Sequence, residues 1–452
     1  MRIHLIAIGG SAMHNLALAL HHKGYTVTGS DDEIFEPSRT RLEKHGLLPP
    51  ELGWFPEKIT SDIDAVILGM HAQEDNPEII KAKQLWIKIY SYPEYLFNQC
   101  SDKKRVVIAG SHGKTTITSM IMHVLKCCDR DFDYMVGANV EGFETMVRLS
   151  ETAPIAIFEG DEYLSSALDR RPKFHLYKPH IALISGIAWD HINVFPTFEI
   201  YKQQFTEFIN QMEPTGTLYY YQNDEILKDV VEKSANHVNK IPYAEHVHMV
   251  RDHYSYLLTQ SGSYRLNVFG KHNLQNVNGA KLICNQLEVT DVEFYKAIAT
   301  FKGASKRLQV LHSTKETTVF LDFAHAPSKV KATVAAMKEQ YPERKLIACL
   351  ELHTFSSLNE KFLGEYSGSM QKADKAIVYF NPQTIAHKRL PEISEKQVKD
   401  AFGDVNLEVI TDNKELVKYL KQQDYKLANL LLMSSGNFGA LDLNELAVTL
   451  SE

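Results

Sequence analysis

The segment AGSHGKTT, from Ala109 to Thr116, constrains the fold more than any other part of the sequence. It follows the apolar stretch KRVVIAG, and the residues after it repeat an apolar face at helical spacing. The members of that face are Ile117, Met120, Ile121, Val124 and Leu125. A glycine turn between a strand and a helix can cradle phosphate, because backbone N–H groups approach the oxygens and the helix N-terminus adds partial positive charge. The context predicts a parallel α/β domain with a phosphate loop.

Within this loop, Lys114 is expected to reach the outer phosphates and Thr115 to hold Mg²⁺. The spacing is shorter than in the commonest phosphate loop, since Ile108 stands where that loop has its first glycine and Gly110 comes only shortly before Gly113. The alternative is a glycine turn that only joins two elements.

Two further apolar strands end in polar residues. Glu159, Asp161 and Glu162 follow PIAIF, and Asp190 and His191 follow HIALIS. The carboxyl ends of parallel strands lie on one edge of a sheet, so these groups are expected beside the phosphate loop. Carboxylates and an imidazole there would hold a metal ion against phosphate oxygens. A solvated acidic loop and a structural histidine are the alternatives.

The N-terminal segment begins as strand, helix and strand in IHLIAIGG, AMHNLALALHH and YTVTGSD. Gly9 and Gly10 end the first strand, and Asp31 ends the second, where a dinucleotide fold carries its ribose-binding acid. The pattern G-x-G-x-x-G is not satisfied, which argues against a nicotinamide dinucleotide. A nucleotide diphosphate at this helix N-terminus and a plain tight turn both remain open.

The chain of 452 residues is long enough for about three domains. We place them at residues 1–99, 100–306 and 307–452, and we interpret YPEYLFNQCSDKKR as the turn and linker at the first boundary. The last part repeats strands and helices, with strands predicted at TTVFLDF, KLIACLEL, KAIVYF and NLLLMSS. The predicted fold class is α/β throughout.

The net charge of −7 argues against a surface adapted to nucleic acid. Five cysteines form no C-x-x-C pair, so neither a zinc site nor a disulfide framework is expected. No apolar run is long enough to insert into a membrane, and the start of the chain does not read as a signal peptide, so a cytoplasmic protein is expected.

The segment FGKHNLQNVNGA places Asn273 and Asn276 at the start of a helix. Their amides would be able to read an adenine edge. Without further information we prefer the interpretation that they cap the helix.

Taken together and in this order, the motifs resemble those of the Mur ligase family over essentially the whole chain. AGSHGKTT is similar to the short phosphate loop of that family, and EGDE, WDHINVF and GKHNLQN resemble its acidic, metal and adenine motifs. GASKRL resembles its arginine-bearing hinge, and DFAHAP resembles the signature of its C-terminal domain. The resemblance implies a Rossmann-like UDP-binding domain, a central P-loop ATPase domain and a Rossmann-like C-terminal α/β domain.

The resemblance also implies roles for individual residues. Lys114, Glu159 and His191 would be catalytic, and Mg²⁺ would be held by Thr115, Glu159 and His191. UDP-sugar would be bound by Gly10, Ser11 and Asp31. ATP would be bound by Gly110, Ser111, His112, Gly113, Lys114, Thr115, Thr116, Asn273, Asn276, Arg307, Asp322 and His325.

The implied reaction joins the lactyl carboxylate of UDP-N-acetylmuramate to an amine through an acyl phosphate. Thr206 stands where several members carry a carbamylated lysine, which resembles the branch that acts directly on UDP-N-acetylmuramate. EGDEYLSS and SSGNFGAL resemble members that attach L-alanyl-γ-D-glutamyl-meso-diaminopimelate, and L-alanine is the alternative amine. A nicotinamide-dependent dehydrogenase and a noncatalytic nucleotide sensor are further alternatives.

The sequence departs from this branch at two places. Ala326 replaces a second histidine, and LELHTFSSL lacks the arginine expected in the amine-binding loop. Other donors on the third domain would then bind the carboxylates of a peptide. The candidates are His353, Thr354, Ser356, Ser357 and Lys388.

Overall fold

The computed structural model describes residues 1–70, 72–403 and 406–451. In these ranges the strands form four sheets, and the first is a parallel sheet of order β2-β1-β3-β4. Its strands are β1 (Arg2–Ile6), β2 (Thr26–Ser30), β3 (Ala65–Leu68) and β4 (Lys88–Ser91). The accompanying helices are α1 (Ser11–His22), α2 (Ser38–Lys44), α3 (Pro77–Gln84) and α4 (Tyr92–Gln99).

Helix α4 corrects the prediction of a turn and linker at YPEYLFNQ. Pro93 lies in the first turn, where its missing N–H leaves no bond unmade, and the Glu94 carboxylate accepts the Ser91 N–H at 3.4 Å. Tyr92, Tyr95 and Leu96 are buried against the first sheet, so packing overrides the polar composition.

The central part contains a seven-stranded sheet of order β11-β10-β9-β5-β8-β6-β7, parallel except for the pair β6 and β7. The strands are β5 (Lys104–Ala109), β6 (Asp133–Met135), β7 (Val147–Arg148), β8 (Ile155–Glu159), β9 (Ile181–Ile184), β10 (Thr217–Tyr221) and β11 (Asn239–Tyr243). The helices are α5 (Lys114–Cys127), α6 (Phe198–Asn210), α7 (Glu225–Lys233), α8 (Lys271–Gln286) and α9 (Asp291–Ile298). All five apolar positions predicted for the face of α5 are fully buried in one core with α8 and α9.

A small antiparallel sheet, formed by residues that lie between β11 and α8 in the sequence, was not predicted. It consists of β12 (His248–Arg251), β13 (Tyr254–Thr259) and β14 (Gly262–Leu266). Asp252 and His253 both have positive φ and form the two-residue turn from β12 to β13.

The last part is a six-stranded sheet of order β15-β16-β20-β17-β18-β19, in which only β15 is antiparallel to its neighbour. The strands are β15 (Gln309–Ser313), β16 (Thr317–Asp322), β17 (Lys345–Glu351), β18 (Lys375–Tyr379), β19 (Leu407–Ile410) and β20 (Ala428–Met433). The helices are α10 (Pro327–Gln340), α11 (Glu360–Leu363), α12 (Pro382–His387), α13 (Glu395–Phe402), α14 (Asn413–Lys421) and α15 (Leu443–Ser451).

The three parts contact one another through hydrogen bonds and rings. The Asn15 side chain on α1 accepts the Met146 N–H at 2.9 Å, which joins the first part to the central part. Phe269, ahead of α8, packs at 6.1 Å between ring centroids against Phe320 of β16. The α/β fold class in three units is as predicted, and no helix among the described residues is long and apolar enough to cross a membrane.

Candidate active site

The phosphate loop and the two acidic segments lie at the carboxyl ends of three neighbouring strands. Strand β5 lies between β8 and β9 in the sheet, and all three run parallel. The loop after β5 therefore contacts the residues that follow β8 and β9, as the strand pattern predicts.

Two glycines fix the shape of the phosphate loop. Gly110 has φ +118°, and a Cβ there would lie 2.4 Å from Ser185 Oγ. Gly113 has φ +73°, and a Cβ there would lie 2.4 Å from Asn276 Oδ1. Both positions therefore require glycine for conformation and for space.

Lys114 Nζ donates to Gly110 O at 2.7 Å and to Glu162 Oε2 at 2.6 Å. Burial on its own would lower the pKa of Lys114, but the carboxylates of Glu162 and Asp161 outweigh it and raise that pKa. The lysine is therefore a fixed cation at the mouth of the loop.

Thr115 Oγ1 donates to Glu159 Oε1 at 2.8 Å, and Gly137 N–H donates to Glu159 Oε2 at 2.7 Å. Burial raises the pKa of Glu159. His191, which has φ +55°, places Nε2 3.9 Å from Glu162 Oε1. The predicted metal ligands Thr115, Glu159 and His191 thus border one crevice.

The oxygen atoms of Thr115 and Glu159 suit Mg²⁺, which prefers oxygen ligands and retains water. In the part of the chain that the structure describes, no group of three His, Cys, Asp or Glu residues is arranged to hold a metal ion. A magnesium ion here would therefore share its coordination sphere with phosphate oxygens and water.

Glu162 and Tyr201 complete the crevice; Glu162 was expected beside the phosphate loop, whereas Tyr201 was not predicted. The buried Tyr201 hydroxyl donates to Glu162 Oε1 at 3.0 Å and lies 2.8 Å from Ser111 Oγ. Ser111 Oγ also accepts the Ala188 N–H at 2.9 Å, which ties the phosphate loop to the segment after β9. The position of Glu162 in EGDE indicated its role, whereas no sequence motif indicated Tyr201.

Of the two asparagines of α8, Asn276 packs against the phosphate loop at Gly113. Asn273 Nδ2 donates to Phe269 O at 2.9 Å, and Asn276 Nδ2 lies 3.5 Å from Asn273 Oδ1. Both side chains are buried. Because neither side chain caps α8, the geometry does not support the cap interpretation.

The third part brings Arg307, Asp322 and His325 together at the carboxyl end of β16. Asp322 accepts the N–H groups of Leu308 and Ala324, each at 2.7 Å. The Arg307 guanidinium lies 4.7 Å from the centroid of the Phe323 ring, and burial lowers the pKa of His325 to about 3. His325 Nδ1 lies 2.7 Å from Phe323 O, so its neutral ring keeps Nε2 as an acceptor.

The first turn of α10 reaches the phosphate loop. Ser328 Oγ lies 3.0 Å from His112 Nε2, and burial lowers the pKa of His112 to about 3. Lys329 Nζ lies 3.8 Å from Asp190 Oδ2. Burial would raise the pKa of Asp190, but Lys329 and His191 lower it, so this carboxyl is an anion. Ser328 and Lys329 were not predicted.

In the first part, Asp31 Oδ2 accepts the Gly9 N–H at 2.6 Å, and a Cβ on Gly9 would lie 2.9 Å from the same oxygen. Gly10 precedes α1, and the exposed Ser11 is its first residue. The three predicted UDP-sugar residues therefore lie at one end of β1 and β2.

The five predicted peptide-binding residues have different environments. Thr354 and Ser357 hydrogen-bond to each other, with Thr354 N–H 2.9 Å from Ser357 Oγ, and Ser356 is buried. His353 remains about one-third exposed, and its Nδ1 lies 3.8 Å from Glu351 Oε1. Lys388 Nζ lies 4.6 Å from the centroid of the exposed Phe355 ring. Ser356 and Ser357 are therefore closed off, whereas His353, Thr354 and Lys388 are half-buried.

Three family models match successive parts of the chain. The Mur ligase family, catalytic domain model matches residues 2–104, the Mur ligase middle domain model matches 108–284, and the Mur ligase, glutamate ligase domain model matches 306–436. A UDP-N-acetylmuramate–L-alanine ligase from a Sulfurihydrogenibium species is 32% identical over 384 residues, covering 83% of this chain and 82% of that protein. The chain belongs to the Mur ligase family.

Other Mur ligases match over nearly the full length. The UDP-N-acetylmuramate–L-alanyl-γ-D-glutamyl-meso-2,6-diaminoheptandioate ligase of Haemophilus influenzae is 25% identical, covering 97% of each chain. A murein peptide ligase structure from Psychrobacter arcticus has a TM-score of 0.67 at 22% identity, covering 100% of this chain and 99% of that one. A UDP-N-acetylmuramate-alanine ligase structure from Thermotoga maritima has a TM-score of 0.71 at 20% identity, covering 97% of each.

Mur ligases are ATP-dependent amide ligases of peptidoglycan synthesis, so the predicted enzyme class is confirmed. The solved structures confirm the three-part α/β fold. The roles of individual residues and the choice of amine stay predictions.

Proposed function

We propose that this Mur ligase joins the lactyl carboxylate of UDP-N-acetylmuramate to the amine of L-alanyl-γ-D-glutamyl-meso-diaminopimelate, with hydrolysis of ATP to ADP and phosphate. The proposed domains are residues 1–99 for the UDP-sugar, 100–306 for ATP and 307–452 for the amine. The observation that carries the proposal is the contact of α10 with the phosphate loop, Ser328 Oγ to His112 Nε2 at 3.0 Å. It brings the predicted amine-binding part against the predicted ATP site.

In the first step, a carboxylate oxygen of the sugar attacks the γ-phosphorus, the bond to the β,γ-bridging oxygen breaks, and ADP leaves. Lys114 stabilises the negative charge that spreads over the phosphoryl oxygens. In the second step, the amine attacks the acyl carbon, phosphate leaves, and the nitrogen loses its proton. The product is an amide.

Thr115, Glu159 and His191 are the proposed ligands for Mg²⁺, which when bound would offset the charge of the phosphate oxygens. Glu159 is held ready by the Thr115 hydroxyl and the Gly137 N–H. Asn273 and Asn276 would face the nucleotide, and Arg307, Asp322 and His325 would close over it. The packing of Asn276 against Gly113 supports this placement.

Gly10, Ser11 and Asp31 are proposed to bind the UDP-sugar at the N-terminus of α1. A helix N-terminus favours a diphosphate, and a buried acid beside it suits a ribose hydroxyl. The pKa of Asp31, which burial raises to about 6, would make this contact sensitive to pH.

The tripeptide is proposed as the amine because the third part offers the Lys388 cation and the His353 imidazole at the carboxyl edge of its sheet. His353 follows β17, and Lys388 lies close enough for its charge to lower the pKa of His353, in addition to the larger effect of burial. Several peptide carboxylates would be able to use both groups, whereas free alanine has one carboxylate. Resemblance in EGDEYLSS and SSGNFGAL supports the same choice.

L-Alanine is the second candidate, and a specific observation favours it. The L-alanine ligases of the Sulfurihydrogenibium species and Caldicellulosiruptor bescii are 32% and 31% identical to this chain. The tripeptide ligases of Haemophilus influenzae and Escherichia coli are 25% and 26% identical.

A phosphate-release assay with ATP, Mg²⁺ and UDP-N-acetylmuramate tests the proposal against L-alanine and the tripeptide. We expect release only with the complete mixture, and a higher kcat/KM for the tripeptide. Equal phosphate release without UDP-N-acetylmuramate would contradict the ligase reaction. A higher kcat/KM for L-alanine would replace the tripeptide with the second candidate.

A variant pair locates the amine site. Lys388→Met is expected to raise KM for the tripeptide about tenfold, because a charged contact is lost, and to leave KM for ATP unchanged. Arg389→Met, at the exposed neighbouring position, is the matched control. Equal KM values for the two variants would remove Lys388 from the proposed site.

A further inference from the structure

The third part places a second lysine in the ATP crevice. Lys329 lies in the first turn of α10, next to Pro327 and Ser328, and its side chain is 25% exposed. Ser328 contacts His112 in the phosphate loop, so this turn lies against the central sheet rather than in solvent. The residues after β9 provide the other wall, where Asp190 lies.

The crevice contains three lysines, each beside a carboxylate. Lys114 is 2.6 Å from Glu162, and Lys173 is 2.5 Å from Asp161, so both pairs are hydrogen-bonded. Lys329 is 3.8 Å from Asp190, which is beyond hydrogen-bond distance. Of these three ammonium groups, that of Lys329 is held most loosely and is the most available to another anion.

The backbone adds to the positive charge at this place. Helix α10 has 14 residues, and the first N–H groups of a helix have no partner within it. A lysine in the first turn places its charge where the helix dipole also favours an anion, which is unfavourable for the protein alone. An arriving phosphate would relieve that repulsion.

We propose that Lys329 is a phosphate-binding catalytic residue that the third part inserts into the ATP site of the central part. This rests on the proposed function and extends it. Lys329 acts as a hydrogen-bond donor and forms no covalent bond. Its Nζ donates to non-bridging oxygens of the γ-phosphoryl group during transfer and of the acyl phosphate afterwards.

The structure also suggests a competing role, in which Lys329 only holds the two parts together through Asp190. Trp189 separates the two roles, because its ring lies 6.0 Å from that of Phe362 on α11 and therefore reports contact between the parts. Loss of a phosphate-binding lysine would lower kcat more than it weakens the contact between the parts. Loss of a latch would lower kcat and also weaken that contact.

The test compares Lys329→Gln, Lys329→Arg and the control Lys331→Gln, which changes an exposed lysine two residues along the same helix. Measurements are kcat with the full substrate mixture, the ATP dissociation constant, and the change in tryptophan fluorescence on adding a nonhydrolysable ATP analogue. Trp189→Phe identifies the part of the signal that comes from the interface.

We expect Lys329→Gln to lower kcat roughly 100-fold, as is typical for loss of one stabilising donor, with less than a tenfold change in ATP affinity. Lys329→Arg should recover much of kcat, and Lys331→Gln should match the unmodified protein. The fluorescence change should persist in all three.

A kcat for Lys329→Gln within threefold of the unmodified protein would overturn the proposal. Loss of the fluorescence change together with kcat would also overturn it, in favour of the latch. If the unmodified protein released no phosphate with any amine, the proposed function itself would fail, and the role of Lys329 with it.

Discussion

Glu162 shows how single residues organise the ATP crevice. Its carboxylate accepts from Lys114 at 2.6 Å and from the Tyr201 hydroxyl at 3.0 Å, and His191 lies 3.9 Å away. A buried carboxylate with this many donors has little freedom to rotate. It therefore fixes the position of Lys114 before a nucleotide arrives.

Tyr201→Phe should lower kcat about tenfold while changing the KM for ATP less. The substitution keeps the ring, which packs 5.3 Å from that of Phe205, and removes the hydroxyl between Ser111 and Glu162. A buried group left without its partner costs about 1–3 kcal/mol. Steady-state kinetics with varied ATP measure the effect.

Tyr219→Phe is the matched control, because the buried Tyr219 donates to Gln286 at 3.0 Å, away from the phosphate loop. It should lose similar stability and keep kcat. If both variants lost kcat equally, general destabilisation would explain the result instead of positioning.

Asp31 should make stability depend on pH in the acid range. Burial raises its pKa to about 6, with a hydrogen bond from Asp32 adding to the rise and the Gly9 N–H opposing it. Between the unfolded value near 4 and the folded value, the folded protein binds more protons. The contribution of Asp31 to stability therefore falls as pH rises through this window.

Asp31→Asn should raise the free energy of unfolding by up to about 3 kcal/mol at pH 7 and by nothing below about pH 4. The amide oxygen would still accept the Gly9 N–H. Urea unfolding at several pH values measures the difference, with the exposed Asp64→Asn as control. A gain that did not vary with pH would show that the carboxylate charge is not responsible.

The sequence indicated the phosphate loop and both acidic segments because each follows an apolar strand directly. Tyr201 and Lys329 were missed because their contacts are distant in sequence, as with Ser328 and His112, which are 216 residues apart. Periodicity places a residue on an element, but it does not show which elements meet.

At the scale of elements, strands β5, β8 and β9 of the central sheet were predictable because they are largely buried and read as continuous apolar runs. The small sheet β12 to β14 was not, because its residues are largely exposed and mix polar with apolar types. Helix α4 was missed because its polar composition suggests a loop, whereas its stability comes from packing against the first sheet.

The cap of α7 links an element to the active site. Asp224 Oδ1 accepts the Leu227 N–H at 3.0 Å, and Oδ2 accepts the Ile187 N–H at 2.7 Å, in the segment that leads to Asp190. Asp224→Ala should lower the free energy of unfolding by about 1–3 kcal/mol and also lower kcat, because that segment loosens.

Asp412→Ala is the comparison, since Asp412 caps α14 by accepting from Lys414 and Glu415, and its hydrogen bonds within the described residues do not reach the active site. The free energy of unfolding of this variant should fall by about 1 kcal/mol, and its kcat should be unchanged. Thermal unfolding and phosphate release measure both properties, and equal kcat values for the two variants would refute the link.

For the whole molecule, α10 is the element that relates the third part to the central one. Its first turn contacts the phosphate loop, and its last residue, Gln340, donates to His253 O at 2.5 Å in the turn of the small sheet. Gln340 also accepts from Ser255 Oγ at 3.2 Å. The small sheet therefore holds the end of the helix that carries Lys329, and we expect it to fix the direction in which α10 points.

Gln340→Ala should lower kcat roughly tenfold with little change in ATP affinity, although Gln340 is at the far end of α10 from the phosphate loop. Removal of the buried amide would leave His253 O and Ser255 Oγ without this partner, at about 1–3 kcal/mol each. The third part would then lose its fixed orientation. Lys338→Ala is the control, because the Lys338 ammonium donates to Arg344 O and Asp374, which both lie in the third part. Small-angle scattering with an ATP analogue measures the orientation. A loss of kcat in Lys338→Ala as large as in Gln340→Ala, or unchanged scattering in both, would show that the small sheet does not set the closed arrangement.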